Sequence, residues 1–306
     1  MKLWAIGPGE STLHYKKSLE QLSGSEAQTL AFQSVFPWGY KFYDIIPTYW
    51  TWLDPNAAIE GLEFLDHLVD AAPNYDALQK MHILIPHFLA DTYETFRLFS
   101  GTSALKETKW NTYQRLIEDV TRKGFRVGIL EATTVKYLQT VRGPYAATED
   151  YCDKNFNQRF TGNFSLVCGT AAFDSETVYD MHYKWGLENK VSSAIFPIAQ
   201  YLGTKELYIM GFDFVGKRFY DYGTDPENWA SQTGQQNYVA GRHAAANTEQ
   251  LAVALGYVQK WIDTTELHQM EIYSVIEDKY TLINSVVPYR SFTAALQHQG
   301  DSNEGY

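Results

Sequence analysis

The sequence predicts an α/β fold: a Rossmann-like, mostly parallel sheet with helices on both faces. Short apolar runs alternate along the chain with segments whose apolar residues recur at helical spacing, and this order of strands and helices is typical of a parallel sheet. The clearest run, at residues 206–210, has the apolar character of a strand buried on both faces. With 306 residues, 45% of them hydrophobic, the chain is large and apolar enough for one such domain.

The apolar pattern places the individual elements. It predicts strands at residues 2–6, 40–46, 49–53, 81–86, 125–130, 164–169, 206–210 and 270–276, with Pro47 between the second and the third. Helical spacing predicts helices at residues 57–68, 110–123, 133–141, 192–202 and 244–262. Gly124 and Gly203 each follow the last helical residues of a segment, as glycines at helix ends do.

A long irregular segment interrupts this alternation at residues 214–243. It is rich in Gly, Asp, Asn and aromatic residues, whereas structureless loops beyond about 12–15 residues are uncommon in compact domains unless they are functional or disordered. We therefore predict a lid over a ligand at residues 214–243. The lid belongs to a single nucleotide-binding domain of residues 1–296, followed by a flexible polar tail at 297–306.

Charge and cysteine usage narrow the class of protein. A formal net charge of −11 disfavours nucleic acid as a partner, because the surface repels phosphate backbones. The two cysteines, Cys152 and Cys168, form no CxxC or pairing pattern, which favours a reducing compartment and no structural zinc site. No apolar run suits a signal peptide or a membrane span. These features predict a cytoplasmic protein without a transmembrane segment.

A glycine-containing loop follows the first predicted strand. Its sequence, Gly-Pro-Gly-Glu-Ser at residues 7–11, includes Gly7, Gly9 and Ser11. Glycines let backbone N–H groups approach a ligand closely, and a helix that starts behind such a loop favours a phosphate. The loop matches neither GxGxxG nor a Walker sequence, and a plain turn is an equally good interpretation.

A second loop follows the strand at 206–210 and contains Gly211, Asp213 and Phe214. Ligands of open parallel sheets bind at the carboxyl ends of the strands. Asp213 is therefore a candidate partner for a ribose hydroxyl or an acceptor sugar. Its alternative interpretation is a carboxylate that caps a turn.

His243 and Arg242 come directly before the helix predicted at 244–262. A histidine at the mouth of a lid titrates near neutral pH and can act as a general base, while Arg242 can meet an anionic ligand. A solvated surface histidine is the alternative. The chain contains no HExxH, no GxSxG and no DxD spacing near the lid, so the sequence predicts no obligatory protein-bound metal.

Motifs in the C-terminal half follow one another in a recognisable order. They are Ser192 and Ser193 ahead of an apolar helix, a strand ending in Gly211, Phe212, Asp213 and Phe214, then Tyr220, Asn237 and Tyr238, and His243 before Asn-Thr-Glu at 247–249. This order resembles the bacterial sialyltransferases of glycosyltransferase family 42 over residues 190–276. Residues 2–11 are similar to that family's first strand and its Gly-Pro-Ser loop. The helix–strand block and the loop also resemble archaeal-type pterin diphosphokinase-like proteins.

The resemblance implies a GT-A-like variant of the predicted fold and an inverting sugar transfer that requires no cofactor. The donor would be a CMP-activated sialic acid or similar keto sugar acid, the acceptor a glycan hydroxyl, and Mg²⁺ would not be essential. His243 would take the acceptor proton and Tyr220 would hydrogen-bond the departing phosphate. The residues implied in donor binding are Gly7, Gly9, Ser11, Ser192, Ser193, Gly211, Asp213, Phe214 and Arg242. Family members assemble as tetramers, so a homo-oligomer is expected by analogy.

Two other functions stay open. The family's first lid tyrosine is replaced by Val215, which keeps a non-catalytic nucleotide- or glycan-binding module as an alternative, although Lys217, Arg218 or Tyr222 can supply a donor to the phosphate instead. The similarity to diphosphokinases keeps a pyrophosphokinase-like transferase that uses ATP and Mg²⁺.

Overall fold

The structure of the chain is a computed structural model. The structure describes residues 1–9, 11–14, 16–23, 27–32, 35–52, 55–68, 74–86, 107–130, 164–167, 195–196, 198–199, 202–213, 255–256, 258–259, 261–263, 265 and 269–297. Among these residues, no helix is both long and apolar enough to cross a bilayer.

Eight strands form one sheet in which every neighbouring pair is parallel. The strands are β1 (Lys2–Ile6), β2 (Gln28–Phe32), β3 (Tyr49–Thr51), β4 (His82–Pro86), β5 (Arg126–Leu130), β6 (Phe164–Val167), β7 (Glu206–Met210) and β8 (Glu271–Ser274). Their order across the sheet is β6-β5-β4-β3-β2-β1-β7-β8. The chain therefore builds outward from β1 to β6, returns to the other side of β1 with β7, and ends at β8.

Helices connect the strands. Within the described residues they are α1 (Ser11–His14), α2 (Lys16–Ser23), α3 (Val35–Tyr43), α4 (Pro55–Leu68), α5 (Tyr75–Gln79), α6 (Glu107–Arg122) and α7 (Phe292–Gln297), with 3-10 turns at Asp278–Tyr280 and Ile283–Ser285. Residues 195–196, 198–199, 255–256, 258–259, 261–263 and 265 are also helical.

Strands β1, β2, β4 and β7 are buried on both faces of the sheet, and their successive residues alternate between two apolar clusters. In β1, Trp4 packs into the cluster with residues of α2, α3, α4, α6 and α7. Leu3, its neighbour in the chain, packs into the opposite cluster with Phe196 and Trp261 from the helical residues near 196 and 261. The predicted α/β fold with a parallel sheet and helices on both faces is confirmed.

Most predicted elements with described residues are confirmed, with bounds that differ by a few residues. Strands occur at β1, β3, β4, β5, β6, β7 and β8, and helices at α4 and α6. Gly124 and Gly203 follow helical residues with positive φ angles of 89° and 72°, as expected of glycines at helix ends. The helix predicted at 133–141, the lid at 214–243 and residues 298–306 of the predicted tail lie outside the described residues, and the first tail residue, Gln297, is the last residue of α7.

The strand predicted at residues 40–46 is wrong. Residues up to Tyr43 belong to α3, and the strand in this part of the chain is β2, which the sequence did not predict. The aromatic run of α3 has high strand propensity, but Phe36 and Tyr40, one helical turn apart, are both buried against the sheet cluster. In this segment tertiary packing outweighs local propensity.

β2 was missed because polar residues mark its beginning. The N–H of Thr29 donates to Oγ1 of Thr48 at 3.0 Å, and the N–H of Thr48 donates to Oγ1 of Thr29 at 2.9 Å. This reciprocal pair satisfies the polar groups where β2 meets β3, so the strand tolerates threonine at a buried position.

Candidate functional site

The topological switch point of the sheet lies between β1 and β7. The connection after β1 leads to α2, whose Leu22 packs in one apolar cluster, and the connection after β7 leads to Val258 and Trp261 in the other cluster. When the connections after two adjacent parallel strands go to opposite faces of the sheet, a crevice forms between them at the carboxyl ends of the strands. Sheets of this kind bind their ligands there. The loops that begin at Gly7 and Gly211 both lie at this point.

The backbones of these two loops are hydrogen-bonded to each other. The N–H of Gly7 donates to the carbonyl oxygen of Met210 at 2.7 Å, and the N–H of Gly9 donates to that of Gly211 at 2.7 Å. The pairing of β1 with β7 thus continues into the loops. The two N–H groups are therefore used to join the loops rather than pointing freely at a ligand.

Close approach explains why glycine occupies three positions here. A Cβ on Gly9 would lie 2.5 Å from the Asp213 carboxylate and 2.7 Å from the carbonyl oxygen of Gly211. A Cβ on Gly7 would overlap the carbonyl group of Gly211 and approach the Phe212 ring to 2.8 Å. Gly211 has a φ of 70° and faces Oγ1 of Thr12, so both its conformation and its surroundings exclude a side chain.

Asp213 links the β7 loop to the start of α1. Its Oδ2 accepts the N–H of Ser11 at 2.7 Å, and its Oδ1 accepts the Ser11 hydroxyl. The exposed fractions of Asp213 and Ser11 are both 1%. A buried carboxylate is costly unless it is hydrogen-bonded, and Ser11 supplies two donors. Asp213 therefore caps the start of α1 from the neighbouring loop.

A third segment, which no sequence motif indicates, completes this cluster. The N–H of Leu282 donates to the carbonyl oxygen of Asp213 at 3.0 Å, and the buried hydroxyl of Thr281 lies within 3.2 Å and 3.3 Å of the carbonyl oxygens of Phe212 and Asp213. We refer to residues 7–9, 11–12, 211–213 and 281–283 together as the switch-point cluster. Its members come from three distant parts of the sequence.

Thr12 also belongs to the cluster. Its side chain is fully buried, and Oγ1 donates to the carbonyl oxygen of Gly7 at 3.1 Å. Its N–H donates to the carbonyl oxygen of Gly9 at 3.1 Å. These bonds hold the first loop in the shape that lets Gly211 pack against it.

Charged residues gather at the other end of the same strands. Glu206, at the start of β7, accepts the hydroxyl of Tyr208 at 2.5 Å and lies 3.7 Å from the Arg290 guanidinium. Burial, and then the bond to Glu206, raise the pKa of Tyr208, and burial lowers the pKa of Lys2. Because this cluster lies at the amino ends of β1 and β7, it is remote from the switch point, and we assign it a structural role.

The structure therefore brings together five of the predicted site residues: Gly7, Gly9, Ser11, Gly211 and Asp213. The other six lie outside the described residues: Ser192, Ser193, Phe214, Tyr220, Arg242 and His243. The residues missed by the sequence analysis are Thr12 and Thr281. Thr12 follows Ser11 directly and could have been found from that proximity, whereas no sequence signal indicates Thr281.

In the part of the chain that the structure describes, no three His, Cys, Asp or Glu side chains come together as a metal-ligand group. Comparisons with models of protein families, with curated proteins and with solved structures find no match to the chain.

Proposed function

We propose that the protein is a glycosyltransferase that moves sialic acid, or a similar keto sugar acid, from a CMP-activated donor to the hydroxyl of a glycan acceptor. The transfer inverts the anomeric configuration and needs no metal. We place this activity in the cytoplasm, in keeping with two cysteines that form no pairing pattern.

One observation carries the proposal. Two motifs of the family resemblance fall on described residues: the loop with Gly7 and Gly9, and the loop with Gly211 and Asp213. These loops are distant in sequence, with 202 positions between Ser11 and Asp213, yet hydrogen bonds join them. They meet at the switch point of a parallel sheet, which is the usual place for a nucleotide in such folds. If either loop resembled the family only by chance, the two loops would not need to be in contact.

The proposed chemistry is a single displacement. The acceptor oxygen forms a bond to the anomeric carbon as the bond from that carbon to the CMP phosphate oxygen breaks, and CMP leaves with the electron pair. His243 takes the proton of the acceptor hydroxyl, as a general base does. Tyr220 donates a hydrogen bond to the phosphate as its charge develops, a type of interaction whose loss costs about 2.7–4 kcal/mol of barrier. The roles of His243 and Tyr220 rest on the family resemblance.

The test is a transfer assay that measures CMP release from CMP-sialic acid with a panel of glycoside acceptors and excess EDTA. We expect acceptor-dependent release by the wild type. In His243→Ala we expect a loss of at least about 100-fold, because a general base contributes roughly 10²–10⁴-fold, with CMP binding retained. His67→Ala is the control, since His67 is exposed on α4, and it should release CMP at the wild-type rate.

Other results would favour the alternatives. Unchanged turnover in His243→Ala would show that the proposed base is wrong. CMP binding without turnover on any acceptor would favour a binding module. Activity that depends on ATP and Mg²⁺ would favour the pyrophosphokinase-like transferase.

A further inference from the structure

We propose that Thr281 is a positioning residue of the nucleotide site. Through the backbone of Asp213 it fixes the carboxylate that holds Ser11, and so sets the shape of the loop that would receive the donor nucleotide. This inference rests on the proposed function for its ligand, and it extends the site to the segment after β8.

The contacts of Thr281 support this role. Its Oγ1 lies 3.2 Å from the carbonyl oxygen of Phe212 and 3.3 Å from that of Asp213, so the single hydroxyl proton is shared between two acceptors. The same oxygen accepts the N–H of Ile283 at 3.1 Å. The exposed fraction of Thr281 is 5%, so water does not readily replace these bonds.

The backbone of Asp213 depends on this segment because β7 has already ended. The last residue of β7 is Met210, and residues 211–213 are irregular. The carbonyl oxygen of Asp213 is bonded by the N–H of Leu282 at 3.0 Å and by the hydroxyl of Thr281. These two bonds orient the residue whose carboxylate accepts both the N–H and the hydroxyl of Ser11.

A chain of contacts therefore runs from Thr281 through Asp213 to Ser11. Each link is buried, since the exposed fractions of the three residues are 5%, 1% and 1%. If the hydroxyl of Thr281 is removed, the carbonyl groups of residues 212 and 213 lose a donor and the N–H of Ile283 loses its acceptor. We expect Asp213 to shift and the loop at Ser11 to loosen, while the sheet itself stays intact.

The test compares three variants. Thr281→Val keeps the shape of the side chain and removes the hydroxyl, and Thr281→Ser keeps the hydroxyl. Thr121→Val is the matched control, because Thr121 is 4% exposed and its Oγ1 donates to a backbone carbonyl, that of Ile117, at 2.7 Å within α6. Each variant is measured by urea unfolding, by calorimetric titration with CMP, and by amide hydrogen exchange at Ser11.

We expect Thr281→Val to weaken CMP binding by about tenfold, which corresponds to about 1.4 kcal/mol, because the loop at Ser11 is no longer held in its binding shape. Thr281→Ser should bind CMP as the wild type does. Thr121→Val should lose stability and keep its CMP affinity. Exchange of the Ser11 N–H should be faster in Thr281→Val and unchanged in Thr121→Val.

Wild-type CMP affinity together with wild-type Ser11 exchange in a folded Thr281→Val would overturn the inference. So would equal losses of affinity in Thr281→Val and Thr121→Val, because a general loss of stability would then explain both. If the wild type binds no CMP, the proposed function fails, and Ser11 exchange alone decides whether Thr281 positions the loop.

Discussion

At the scale of single residues, the space beside Gly9 is too small for any side chain at this position of the switch-point cluster. A Cβ at this position would lie 2.5 Å from the Asp213 carboxylate, and the interior offers little room for adjustment. We expect Gly9→Ala to lower the free energy of unfolding by about 1–3 kcal/mol, as overpacking of a tight site does, and to abolish CMP binding. Urea unfolding and calorimetry measure the two effects.

Gly256→Ala is the matched control for this substitution. Gly256 is helical and a Cβ there would meet no atom of the described residues within 4 Å, so alanine should stabilise the protein by about 0.4–1 kcal/mol. A Gly9→Ala variant with wild-type stability and CMP affinity would mean that the two loops are not packed as described.

The site residues differ in how far the sequence could predict them. Gly7, Gly9, Ser11, Gly211 and Asp213 directly follow two apolar strands, and the end of a strand is where a parallel sheet holds its ligand. Their contacts with each other could not be predicted, since they depend on β7 lying beside β1. Thr281 belongs to an irregular turn, where threonine is common for local reasons. No sequence pattern indicates that its hydroxyl bonds to the distant residues 212 and 213.

At the scale of elements, an ion pair joins α4 to the end of α6. Nζ of Lys123 donates to Oδ1 of Asp66 at 2.5 Å and to the carbonyl oxygen of Asp66 at 2.9 Å. The hydrogen bond from Lys123 lowers the pKa of Asp66. Because the folded pKa is below the unfolded one, the pair stabilises the protein above the ordinary carboxyl pKa of about 3.9, and this stability is lost as the pH falls through the folded pKa.

We therefore expect Asp66→Asn to lower the free energy of unfolding by about 0.5–1 kcal/mol at neutral pH, the upper range for a partly exposed pair. The difference in unfolding free energy between the variant and the wild type should vanish below the folded and unfolded pKa values of Asp66. Urea unfolding at a series of pH values measures this difference. Glu63→Gln, at an exposed position of the same helix, should show no comparable effect. A difference for Asp66→Asn that persisted at low pH would argue against a charge effect.

The elements also show where local patterns are sufficient. α4 and α6 were predicted because each has one apolar face, and Leu62, Leu65 and Leu116 all pack into the same cluster. The end of α3 was predicted as part of a strand at residues 40–46, because its aromatic residues and the isoleucines that follow have high strand propensity.

At the scale of the whole molecule, the order of strands creates the candidate site. The five strands β2 to β6 follow one another outward from β1 in sequence order, and β7 pairs with the other edge of β1. The alternation of strands and helices predicts the class of fold, but it does not state which strands are neighbours, because pairing is decided by long-range packing. The sequence predicted the position of the site only because the loops after β1 and β7 carry recognisable motifs.

We propose that the switch point binds a cytidine nucleotide. The most direct measurement is a thermal unfolding series of the wild type with CMP, CDP, UDP, GDP, AMP and ATP, each with and without Mg²⁺. A ligand present at 100 times its dissociation constant stabilises the folded state by about 2.7 kcal/mol, which for a chain of this size raises Tm by about 4 °C. We predict this rise in Tm for CMP and CDP in the absence of Mg²⁺. The other four nucleotides should raise Tm much less. A shift with ATP and Mg²⁺ alone, or with none of the six, would contradict the account.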